Sequence, residues 1–284
     1  MSTSREQYLK IVRFEKPDYI PNYEGVRERH LLQWKGQGMP ADADYHAYFG
    51  VEPKTRTYRD FNYGPVPGLD PLSCLHNFLN DVARNPDTMP HLPEPHGDQD
   101  FYVSTTPWGD IKLRAPKQHA LDEWANSAWF DVHPALRRRV EWEQIRDRFE
   151  PDFDVRKGAG WDDFLAKADV YTHAPTVFEV PSMVGGIKTF MGYENYCTKL
   201  YDDLDMIEEL MDRRVDICLA HLEEVVATGA FDMIWFWEDI GYRNGPLISP
   251  VIFEQIATPR YKRIADAYCA LGGDIVAMDS DGDI

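Results

Sequence analysis

Residues 231–284 constrain the fold more tightly than any other stretch. Met233 to Trp237 is an unbroken apolar and aromatic run of strand length that ends on Glu238 and Asp239. Ser249 and Pro250 then open a helix predicted to reach about Leu271 and to stop at Gly272-Gly273. A second apolar run, Ile275 to Met278, again ends on acids, Asp279 and Asp281. Strands that are apolar on both faces belong to parallel sheets covered by helices. In such sheets, and in closed (β/α)8 barrels, chemistry collects at the carboxyl ends of the strands. The expected class is therefore α/β, as an open parallel sheet or a (β/α)8 TIM barrel, with carboxylates at the working end.

The rest of the chain supplies further pieces of the same alternation. Ser4 to Phe14 reads as an amphipathic helix, and Tyr19 to Glu24 as a first strand ending on an acid, followed by the basic cluster Arg27, Arg29 and His30. From about 41 to 121 the pattern is irregular and rich in proline and glycine, as an insertion decorating one end of the barrel would be. Within it, Phe101–Thr105 and Gly109–Leu113 can pair as a hairpin across Pro107-Trp108. A charged helix is predicted over 134–149, a short one over WDDFLAKA, and a buried strand from Thr176 to Val180 that contains Glu179. Met206 to Val226 holds the clearest helical stripe: Ile207, Leu210, Met211, Val215, Cys218, Leu219, Leu222 and Val226. About five of the eight strands of a barrel can be counted, so residues 1–284 are expected to be one barrel domain whose last strands are missing.

Charge and composition narrow the partners. A net charge of -18 argues against nucleic acid or an anionic membrane surface. No apolar run approaches the roughly 18 residues of a membrane span, and MSTSREQYLK has no signal-peptide pattern. The four cysteines show neither paired nor metal-type spacing. Reduced thiols and a cytoplasmic location are expected.

Several segments together resemble the uroporphyrinogen decarboxylase (URO-D) superfamily, which includes corrinoid-linked methyltransferases. They are Lys16-Pro-Asp-Tyr-Ile-Pro21, Met191-Gly-Tyr-Glu-Asn195, Glu238-Asp-Ile, Gly245-Pro-Leu-Ile-Ser-Pro250, Pro259-Arg-Tyr-Lys-Arg263 and Asp279-Ser-Asp-Gly-Asp283. The resemblance is strongest from about 175 onward and implies a (β/α)8 barrel. Both functional signatures of the family are altered here. The Arg-Gln-Ala-Gly-Arg motif that grips substrate carboxylates in the decarboxylases is replaced by Val26-Arg-Glu-Arg-His30. The His-x-Cys-Gly of the zinc methyltransferases is replaced by Asp279-Ser280-Asp281-Gly282.

If the strands are placed as expected, Glu24, Glu179, Glu238, Asp239, Asp279 and Asp281 gather at one mouth. Like charges in a partly dry site repel strongly, so such a mouth is a poor receptor for a polycarboxylate. It suits neutral or cationic substrates, carboxyls acting as general acids, or a divalent cation on oxygen ligands. Glu238, Asp239, Asp279 and Asp281 are the candidate catalytic residues, and Glu24, Glu179 and Arg243 the candidate substrate-binding ones. Zinc or another divalent metal would lie on Asp279, Asp281 and Glu238. The bland alternative is that acids at strand ends cap helices or bind loop amides.

Three readings follow from these residues and the resemblance together. The first is methyl transfer between a small methylated substrate and a corrinoid carried by a partner protein. The second is decarboxylation of the uroporphyrinogen type. The third is a non-catalytic barrel that binds a small molecule.

Overall fold

The computed structural model describes residues 2–23, 25–26, 28–52, 55–65, 102–105, 111–114, 129–134, 136–167 and 173–282. Glu24 lies outside the described residues. The chain opens with α1 (Ser4–Val12), started by a capping box in which Thr3 and Glu6 satisfy each other's backbone amides. Then come α2 (Glu28–Gly36), α3 (Tyr45–Phe49) and β1 (Arg56–Tyr58). Strands β2 (Tyr102–Thr105), β3 (Ile111–Arg114) and β4 (Trp129–His133) follow. After α4 (Arg139–Ile145), α5 (Phe153–Arg156) and α6 (Trp161–Ala166), strand β5 (Thr176–Val180) leads to α7 (Gly185–Met191), α8 (Tyr193–Asp202) and α9 (Leu204–Ala227). The last part holds β6 (Met233–Trp237), the short β7 (Gly241–Tyr242) and β8 (Gly245–Pro246), α10 (Pro250–Ile256), α11 (Thr258–Ala270) and β9 (Val276–Asp279).

The principal sheet is parallel and four-stranded, in the order β1-β5-β6-β9. The α/β class and the parallel sheet are as expected. Two corrections concern its first strands. Tyr19–Glu24 does not form a described strand; Tyr23 makes only an isolated parallel bridge to Glu52. The strand at the edge beside β5 is instead β1, which lies inside the stretch read as an insertion. Its sequence, Arg-Thr-Tyr, has no apolar run because it is a short edge strand with one covered face. The hairpin is present as β2 and β3, paired from Tyr102↔Arg114 to Thr105↔Ile111, and β4 adds a third antiparallel strand.

One face of the parallel sheet meets the helices. Phe178, Val180, Ile234 and Phe236 pack into a large core with Ile207, Leu210, Met211, Val215, Cys218 and Leu222 of α9. The predicted stripe of that helix is thus the face that is buried. On the opposite face Val177, Met233 and Ile275 form a smaller cluster, covered by Tyr8, Leu9 and Val12 of α1. The single helix predicted from Pro250 onward is two. The chain breaks at Ala257, ahead of Pro259, whose ring nitrogen cannot donate to the preceding turn. Among the described residues no helix is long and apolar enough to cross a membrane, and Cys197, Cys218 and Cys269 are free thiols.

Candidate functional site

Side chains alternate along a strand, and the register of the sheet fixes which of them share the inner face. Val177 pairs with Met233, Glu179 with Trp235, Trp235 with Ala277, and Trp237 with Asp279. The inner face therefore changes from Val177, Met233 and Ile275 at the amino ends to Glu179, Trp237 and Asp279 at the carboxyl ends. Arg59, just past β1, continues the alternation of Thr57, which pairs with Val177. A cavity of about 410 Å³ opens at this end, bounded by residues 59–64, the β5–α7 loop, Arg214 of α9, Trp237 and Asp239. Its volume lies in the usual range for small-molecule sites.

The acids at the carboxyl ends have divergent fates. Glu238 faces the helix side, fully buried. Its carboxylate accepts from the backbone N–H groups of Met183, Val184 (3.2 Å) and Gly185 (2.7 Å) and from the Tyr261 hydroxyl. Burial pushes this carboxyl above its ordinary range, and the four donors pull it back. The residue ties the end of β6 to the β5–α7 loop. Glu179 and Asp279 face the cavity side instead. Glu179 lies 3.7 Å from the Arg59 guanidinium, and Asp279 accepts from the Trp235 indole at 3.0 Å. Burial raises both carboxyls, and neighbouring acids add to the effect: Asp279 and Asp60 on Glu179, Asp239 on Asp279. Asp239 lines the cavity, while Asp281 is exposed at the end of the described chain. Arg243 is exposed in the turn between β7 and β8, apart from the cavity lining.

The structure thus brings Glu179, Asp239 and Asp279 together and leaves Glu238, Asp281 and Arg243 outside that group. Among the described residues no group of three or more His, Cys, Asp or Glu is arranged to hold a metal ion. Both Glu238 oxygens are spent on loop amides and Tyr261. The expected ligand set of Asp279, Asp281 and Glu238 therefore does not fit a divalent cation.

Two arginines escaped the sequence reading. Arg59 sits at the mouth, 58% exposed. Arg214 projects from α9 with Nη2 3.4 Å from the Ser182 carbonyl and a buried Nε that has no partner. Burial pulls its guanidinium down to about 10. Gly186 is what lets it in: a Cβ there would come within 2.5 Å of Arg214 Nη2 and 2.7 Å of Ser182 Oγ. A third arginine shapes the cavity wall from behind. Arg156 is fully buried and donates to the carbonyls of Asn62, Gly64, Arg148 and Glu150, which fixes the loop after β1.

A parallel α/β sheet whose inner face turns from apolar to charged at the carboxyl ends, beside a cavity, is the plan of a barrel-type enzyme. Residues 178–278, from β5 to β9, match the family model of uroporphyrinogen decarboxylase (URO-D). The match falls in the region where the sequence resemblance is strongest. Among solved structures, a methyltransferase from Methanosarcina mazei aligns with a TM-score of 0.49 and 13% identity, over 99% of this chain and 71% of its own. No curated protein matches the chain.

Proposed function

We propose that the cavity is the active site of a URO-D-superfamily enzyme that moves a methyl group between a small methylated substrate and a corrinoid carried by a partner protein. The observation that carries this reading is the pair Glu179 and Asp279. Glu179 lines the cavity, Asp279 lies on the same face of the sheet beside it, and both are raised by burial and by other acids. A carboxyl raised above its ordinary range is better suited to act as a general acid. For a neutral ether or amine donor it supplies the proton taken up by the atom that loses the methyl group. For a nitrogen that is already charged, the same groups, ionised, balance the positive charge. Arg59 holds Glu179 in place from the mouth, and Asp239 adds negative potential. The scheme is drawn from the carboxyls alone, which among the described residues form no ligand set.

Decarboxylation of a carboxylated substrate is the second reading, and Arg214 favours it, since a carboxylate could bind that guanidinium. A methyl-transfer assay with amine and ether donors and a methyl-accepting corrinoid protein separates the two. The wild-type protein should transfer methyl, and E179Q/D279N should lose about 100-fold in kcat/KM. Carbon dioxide release without methyl transfer would favour decarboxylation. Neither product would leave a binding protein and overturn the enzymatic reading.

A further inference from the structure

The cavity sorts charge by depth. At its floor Arg214 is a cation with one long hydrogen bond, an orphaned Nε and no ion pair among the described residues. Glu238 is an acid whose charge acts on it, but the Glu238 oxygens are engaged by three backbone N–H groups and the Tyr261 hydroxyl, so the guanidinium keeps unused N–H groups that suit an anion able to take two of them at once. A carboxylate does that. At the rim the charge is reversed. Asp60 is exposed and Asp239 half-buried, and neither forms an ion pair among the described residues. Glu179 is already partly matched by Arg59. The Trp237 ring, 52% exposed, stands beside these acids. Carboxylates next to an aromatic ring attract a cation, above all a methylated ammonium whose surface is apolar.

A simple anion answers only the floor and a simple cation only the rim. We infer that the cavity takes a small zwitterion of the betaine kind, its carboxylate seated on Arg214 and its methylated ammonium held between Asp60, Asp239 and the face of Trp237. The inference rests on the reading of this cavity as the methyl-transfer site. It also specifies that reading, because a methyl group on a positively charged nitrogen departs from a neutral amine and needs no proton.

Titration calorimetry with the full chain, without corrinoid or partner, tests the ligand class apart from the reaction. The probes are glycine betaine, tetramethylammonium and acetate at one ionic strength. Glycine betaine should bind on the order of tenfold tighter than either half-probe. R214M should bring it down to the level of tetramethylammonium. G186A, which displaces the guanidinium without removing it, should weaken it by a smaller factor and serves if R214M does not fold. Equal affinity for all three probes, or betaine binding unchanged in the folded variants, would overturn the inference. Betaine binding with no methyl transfer would reject the reaction and keep the ligand class. Methyl transfer from another donor with no betaine binding would reject the ligand class alone.

Discussion

The two faces of the sheet end in carboxylates that the fold treats in opposite ways. On the helix side, Glu238 is surrounded by donors and spends its whole capacity holding a loop. On the cavity side, Glu179 and Asp279 have one close partner each and are crowded by other acids. A saturated carboxylate stabilises the structure; an unsaturated one costs stability and is free to act. The difference between them is a single step along a strand, because neighbouring residues point to opposite faces.

The largest test of that contrast is Glu238→Ala. It strands three backbone N–H groups and the Tyr261 hydroxyl in a dry site, and the expected loss is on the order of 4 kcal/mol. Urea unfolding measures it; a loss no larger than that of a surface substitution would refute the anchoring role. Tyr261→Phe removes one of the four donors and should cost about 1 kcal/mol, measured the same way. A loss as great as that of Glu238→Ala would mean the hydroxyl, not the loop amides, is the main support.

The smallest effect concerns pH. Glu179 and Asp279 are raised in the folded chain, so between their ordinary and their raised values the folded state holds protons that the unfolded state has released. Stability then falls as pH rises through that window, and the penalty is complete above it. E179Q/D279N should therefore show a shallower fall from mildly acidic pH toward neutrality, and at neutral pH should be at least as stable as the wild type. Thermal unfolding across that range gives both slopes. Parallel slopes would show that these two carboxyls are not the perturbed ones.

Much of this contrast is written in the sequence, but not all of it. Strands β5, β6 and β9 and helix α9 follow from unbroken apolar runs and a clean helical stripe, which few other arrangements can bury. The acids at the strand ends are equally plain. Which face each acid takes is not, because a one-residue shift in where the strand is read reverses the assignment. Glu238 was expected to be catalytic for that reason. Arg214 was missed because it sits in the charged run Asp212-Arg213-Arg214, which looks like a solvated surface. A signal was present: Ile207, Met211, Arg214 and Cys218 share one side of the helix, and a cation on the buried stripe marks a cavity. Strands β1 and β4 carry mixed polar sequence, Arg-Thr-Tyr and Trp-Phe-Asp-Val-His, and had no periodicity to find.

Helix α9 does more than cover the sheet. Over 24 residues it receives the Trp142 indole at Glu209 and the Arg260 guanidinium at Asp212, and it carries Arg214 into the cavity. These three positions lie within two turns, and each additional residue would rotate whatever follows by about 100°. The helix thus acts as a phase standard between the outer layer and the ligand. Loops around the mouth are free to lengthen during divergence, but an insertion between Glu209 and Arg214 would swing the guanidinium out of the cavity and leave the surface contacts upstream in place.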